Sequence, residues 1–299
     1  MELSLIDKLR IAAVTALGII VIGVLAWPLA SPADPLLPVR AWNISPFATI
    51  TLLALAFWVG FAAYFIAWPH GREIGILAVP FGLIVWAGRS GSMRVLNQAL
   101  TKPAEREALL HSLRFEPIIW MLVVAAGFAG VLFAEQLRPG SQPAPTLVQI
   151  KAAFKSSNYV NVAIALVVSA AIGAFLIGVF AQDLCTAYVM VAAQPAIGQI
   201  VFAVLAAFGF AGFIVKRFLN LSYVWPALAS LFILPFADAV YGNSQTVTKF
   251  AETEPATFYP HALFAILPVQ FVAVGCLGAV IGYWMAVRYD YWRKHQSSE

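Results

Sequence analysis

The sequence predicts an all-α polytopic transmembrane bundle of about eight membrane-spanning helices. The third is short and proline-broken, and a short amphipathic loop region covers 89–116. Three observations carry this expectation. The chain is 62% hydrophobic and 11% charged, where soluble domains carry about 25% charged residues and could not cover so apolar a chain. Several runs approach or exceed the ~17–25 apolar residues that cross a bilayer as a helix. The ~10-residue alternating strands of a membrane barrel are not seen.

The segments follow in order. They are Ile11–Trp27, Pro46–Trp68, Ile74–Ala87 with Pro80 inside it, and Ile118–Ala134. The second half holds Val162–Ala181, Ala196–Val215, Tyr223–Tyr241 with Pro226 and Pro235, and Ala262–Val287 with Pro268. A short apolar run, Leu184–Ala193, and Pro195 precede the sixth. Pro and Gly are tolerated in such helices when neighbours re-satisfy the freed backbone groups. Trp27, Trp42, Trp68, Trp86, Trp120, Trp225, Trp284 and Trp292 mark segment ends and read as interfacial belts. Residues 1–299 read as a single transmembrane domain. A cleaved signal peptide ending near "SPAD" is the competing reading of the first segment. Its length and the acids Glu2 and Asp7 argue against that.

Lys and Arg set the orientation. With eight crossings and the N-terminus cytoplasmic, eleven basic residues fall inside and seven outside. Both termini are then cytoplasmic, as expected of a bacterial inner-membrane protein. Five of the seven outside charges lie in Arg89–Glu116, which opens with "GRSGSMR". Val95, Leu96, Ala99 and Leu100 form one apolar stripe there, and Leu109, Leu110 and Leu113 another after Pro103. These predict two short amphipathic helices at the interface or capping the bundle. Arg89, Arg94, Arg106 and Arg114 are the candidates for a headgroup or anion site, because guanidinium forks suit phosphate.

The catalytic motifs fall away one by one. "GRSG" matches the G-x-S-G spelling of rhomboid-type intramembrane serine proteases. None of the four histidines, His70, His111, His261 and His295, lies inside an apolar segment to serve as base. A phosphate loop lacks its lysine and its strand, and no H-E-x-x-H occurs. No cofactor is expected, since haem needs histidines at helix centres. Cys185 and Cys276 form neither a disulfide framework nor a metal site. The net charge of +4 is the ordinary surplus of helix flanks and no argument for nucleic acid.

Acids near membrane segments are the default functional flag. Asp183, Glu135 and Asp238 qualify, and Asp238 stands out because it follows the break at Pro235. A weak 4+4 echo divides the chain into 1–150 and 151–299. "VPFG" at Val79–Gly82 resembles "LPFA" at Leu234–Ala237, a shift of 155 between Pro80 and Pro235. The letters elsewhere match poorly, and chance is the simpler account. If the echo is real, Pro80, Gly82, Pro235 and Asp238 line a common cavity, since paired broken helices point to a transport site.

The expected function is a non-catalytic accessory or scaffold subunit of a membrane complex. The first alternative is a permease or channel for a small or lipidic solute, and the second a lipid-modifying enzyme. The partners expected are membrane lipids and either partner membrane subunits or further copies of the chain. An enzyme should bring His111 or His261 close to Asp183, Asp238 or Glu254. A transporter should show a polar cavity between the halves, and a scaffold neither.

Overall fold

The computed structural model describes residues 4–100, 102–137, 156–184, 192–253 and 258–296. Within them, eight helices are long and apolar enough to cross a membrane. The chain is an all-α bundle and an integral membrane protein. Arg138, Lys151, Lys155, Cys185 and Glu254 lie outside the described residues.

The first span is α1 (Leu5–Gly18), extended by a π-helical stretch to Leu25. The second is α2 (Pro46–Ile66), where the Ser45 side chain accepts the Ala48 N–H at 3.2 Å and Pro46 fills the first helical position. The third is α3 (Gly71–Gly75) and α4 (Ala78–Arg89); α5 (Met93–Ala99) and α6 (Pro103–Leu113) form the loop, and α7 (Glu116–Gln136) is the fourth span. The fifth is α8 (Ser156–Phe180) and the sixth α9 (Ile197–Ile214), extended to Leu219. The seventh joins α10 (Val224–Ala229) to α11 (Ile233–Tyr241) through a 3-10 turn; α12 (Ser244–Thr253) follows, and α13 (Pro268–Gln296) is the eighth. Three two-residue strands, β1 (Asp183–Leu184), β2 (Ala192–Ala193) and β3 (Phe258–Tyr259), form one antiparallel ladder.

Both proline breaks fall upstream of the proline. Pro80 is the third residue of α4 and Pro235 the third of α11. A first-turn proline has no intrahelical bond to lose, but its ring forbids continuation from the preceding turn. For the same reason the eighth span starts at Pro268 rather than Ala262, with Ala262–Ala265 forming a separate 3-10 turn.

The third span runs from one end of the bundle to the other. Arg72 at its start meets Glu135, at the close of α7, at 4.0 Å. Arg89 at its finish lies 5.0 Å over the Trp27 ring, beyond the first span. The loop of α5 and α6 therefore sits at the end opposite Leu5 and the Arg217–Asp290 pair, whose atoms are 3.7 Å apart. We call these the loop end and the terminal end.

Not every tryptophan is interfacial. Trp86 and Trp120 are fully buried, and edge-to-face contacts of 6.0 and 6.1 Å chain Trp27, Trp86 and Trp120 together. These large rings fill the core where the first, third and fourth spans converge.

Small residues let two helix pairs approach closely. Gly60 of α2 faces the Gly127 carbonyl of α7, and Gly130 the Phe57 carbonyl. In the second half Gly212 faces the Ala279 carbonyl, and Gly282 the Gly209 carbonyl. A Cβ at Gly60 would overlap a backbone oxygen. Gly60→Val is expected to destabilise the bundle by about 1–3 kcal/mol or more, read as a lower melting temperature in detergent. Gly198→Ala, where nothing lies within 4 Å, should leave melting unchanged.

Candidate functional site

The loop end is held by hydrogen bonds between distant segments. The Gly91 N–H donates to the Leu37 carbonyl at 3.2 Å, and a Cβ at Gly91 would overlap the Leu36 carbonyl oxygen. Gln194 joins three elements. Its Oε1 accepts the Arg94 N–H at 3.0 Å and the Tyr259 hydroxyl at 3.2 Å, and its Nε2 donates to the Ala265 carbonyl at 2.8 Å. "GRSGSMR" thus locks the loop onto the bundle. Beside it, Glu116 is 0% exposed and accepts from Arg40 Nε at 2.9 Å and the Ala41 N–H at 3.4 Å. The same guanidinium donates to the Ser112 hydroxyl at 2.7 Å.

Asp238 lies in α11 at 8% exposure. His111 Nδ1 of α6 sits 3.0 Å from its carboxylate, and Arg114 reaches it at 3.4 Å. A carboxylate only accepts, so His111 donates to it through Nδ1. The Nε2 of His111 lies 3.8 Å from Glu107, beyond hydrogen-bond reach. The Arg114 guanidinium also lies 4.6 Å over the Phe115 ring. This cluster ties the α6 cap to the seventh span.

The fifth span packs on α10 but parts from the rest of the seventh, leaving a groove of about 860 Å³. One wall runs along α8 from Ala163 to Val179, with Gln182 just beyond the helix. The other is Phe232, Phe236 and Tyr241, with His261 and Leu263 closing the loop end. Its polar side chains, Gln182, Tyr241 and His261, are gathered there. The His261 ring stacks on Tyr241 at 4.2 Å and 7°. Its Nδ1 accepts the Leu263 N–H at 3.3 Å. A nitrogen that accepts carries no proton, so His261 is neutral and Nε2–H is its donor. Burial also pushes its pKa down from the usual histidine value. An ideal Cβ on Gly178 would stand 3.5 Å from that Nε2, which places the donor against the α8 wall.

The sequence candidates occupy several places. Pro235 and Asp238 share α11, one turn apart. Pro80 lines a cavity of about 120 Å³ with Met121, Tyr223 and Cys276. Gly82 packs against Ile22 and the Gly18 carbonyl. Of the four, only Asp238 belongs to the ion cluster. The arginines are also dispersed. Arg89 covers Trp27, Arg94 gives its N–H to Gln194, Arg106 Nε donates to the Leu100 carbonyl at 2.9 Å, and Arg114 meets Asp238. Gln182 and Tyr241 are groove residues that sequence reasoning passed over. Their signal was a polar residue at the loop end of each of two consecutive odd-numbered spans. Among the described residues no three His, Cys, Asp or Glu side chains gather to hold a metal ion. Compared with known proteins, the chain matches no family model, no curated protein and no solved structure.

Proposed function

We propose that this protein binds a lipidic solute, with the apolar chain in the groove between the fifth and seventh spans and the polar head at the loop end. Within the permease class it is a lateral lipid-binding site rather than a central aqueous path. The observation that carries this reading is the segregation of the groove: apolar along α8, Phe232 and Phe236, polar only at Gln182, Tyr241 and His261. Amphiphiles have that same segregation. The cavity lined by Pro80 and Cys276 is small and apolar, a poor place for a polar solute. The small-residue wall would also seat a partner helix, but the polar side chains gathered at one end match an amphiphile, so the solute reading stands ahead of an accessory subunit.

An asymmetry within the chain supports this. The tight contacts of the second span with the fourth and of the sixth with the eighth share one offset. Gly60 and Gly212, Gly127 and Ala279, and Gly130 and Gly282 each differ by 152 in number. We take the chain as two four-span units, 1–150 and 151–299. In the first unit the first and third spans close on each other, since Gly18 meets the Ala78 carbonyl and Gly82 meets Ile22. In the second unit the corresponding positions are Ala170 and Leu234, and the fifth and seventh spans enclose the groove. The opening is a local departure from a closed arrangement that the same chain contains.

By the count of basic residues, both termini are cytoplasmic in a bacterial inner membrane, and the groove's polar end faces outward. Membrane lipids are then the partners at hand. The His111–Asp238 pair favours a second reading, a lipid-modifying enzyme, because a histidine oriented by a carboxylate is a general-base arrangement.

A photoreactive diazirine fatty alcohol tests the reading in proteoliposomes. Crosslinks are expected to concentrate on residues 163–182 of the fifth span. Crosslinks spread evenly over exposed positions such as Trp58, Leu122 and Phe210 would sink it.

A further inference from the structure

We infer that the groove selects an amphiphile with an uncharged, hydrogen-bonding head, such as a long-chain alcohol or primary amide, over one with a carboxylate or phosphate. This inference rests on the groove being a lipid site. Its basis is the chemistry at the groove's closed end. The three polar side chains there are an amide, a phenol and an imidazole. None carries a formal charge, and the Leu263 N–H held at Nδ1 keeps the imidazole neutral. Among the described residues no Lys or Arg lines the groove.

Arg114, which reaches the same helix as Tyr241, is engaged. It pairs with Asp238, one turn before Tyr241 on the same helix, and packs on Phe115. An anionic head in the groove would therefore lose water without gaining a counter-charge. A neutral head loses less water and gains the donor at His261 Nε2, the amide of Gln182 and the Tyr241 hydroxyl. The apolar chain gains little by leaving one hydrocarbon environment for another, so the head decides selectivity.

Four probes with one oleyl chain separate the cases: oleyl alcohol, oleamide, oleate and 1-oleoyl lysophosphatidate. Binding to the detergent-purified chain is measured by native mass spectrometry and by displacement of the diazirine alcohol. The alcohol and amide are expected to bind at least about tenfold more tightly than the two anions. Tyr241→Phe, which removes one hydroxyl, and His261→Phe, which keeps the ring stack, should each narrow that gap while chain binding persists. Equal or tighter binding of oleate or lysophosphatidate would overturn the head assignment and leave the groove reading intact. Failure of all four to bind would overturn both.

Discussion

Ala171→Trp should close the groove, with at least a tenfold loss of amphiphile affinity, about 1.4 kcal/mol, and no loss of fold. Ala171 is an exposed residue of α8 that lines the opening. An indole there enters free space rather than a packed interface, so the overpacking cost that follows a core insertion does not arise. The bound chain loses the volume it occupied. Because the competing environment is detergent or lipid rather than water, the full ~0.8 kcal/mol per buried methylene does not apply. The loss therefore reflects exclusion from a shaped site and stays modest. Equilibrium displacement of the diazirine alcohol reads it directly, with melting temperature as the control for folding. Unchanged affinity would mean that the chain lies elsewhere.

The second large effect is on stability. Arg40→Leu leaves Glu116 fully buried with the Ala41 N–H as its remaining partner at 3.4 Å. Removing one member of a buried ion pair typically costs about 3–5 kcal/mol, because the other charge is stranded. The double variant Arg40→Leu/Glu116→Leu removes both charges and should recover most of that loss. Thermal unfolding in detergent checks both. A single variant as stable as the parent would show that the pair does not hold the segment around Val39–Ile44 to α7. Recovery in the double variant separates charge stranding from lost packing.

The spans were legible because hydrocarbon imposes length and composition on each helix separately. Leu96 and Leu109 likewise marked the buried faces of α5 and α6, and both are buried in the fold. The breaks in the third and seventh spans were signalled by Pro80 and Pro235. Their position before each proline follows from ring geometry that a hydropathy reading does not contain. The α12 helix was not read, since it is polar and lies between turn residues. Pairings across the chain were beyond reach: nothing local to His111, Arg114 and Asp238 says that they meet over 124–127 residues.

The groove was the least legible feature. The fifth, sixth and eighth segments are alike in their Gly and Ala content, which suits close packing. The sixth and eighth do pack that way through Gly209, Gly212, Gly278 and Gly282. The fifth instead lines the groove with Ala170 and the exposed Ala171. The groove opens where two spans that meet at α10 and Ile233 part toward the loop end, and composition does not encode that parting. Trp86 shows the same limit, for its partners Trp27 and Trp120 lie on other spans.

The most direct test of a lipid held between the fifth and seventh spans is a cryo-electron microscopy reconstruction in lipid nanodiscs. The account predicts one elongated density along α8, bounded by Phe232 and Phe236 and ending beside Tyr241 and His261. A map in which α8 closes against Phe232, Phe236 and Tyr241, or in which that groove holds no more ordered density than the rest of the lipid-facing surface, would contradict it.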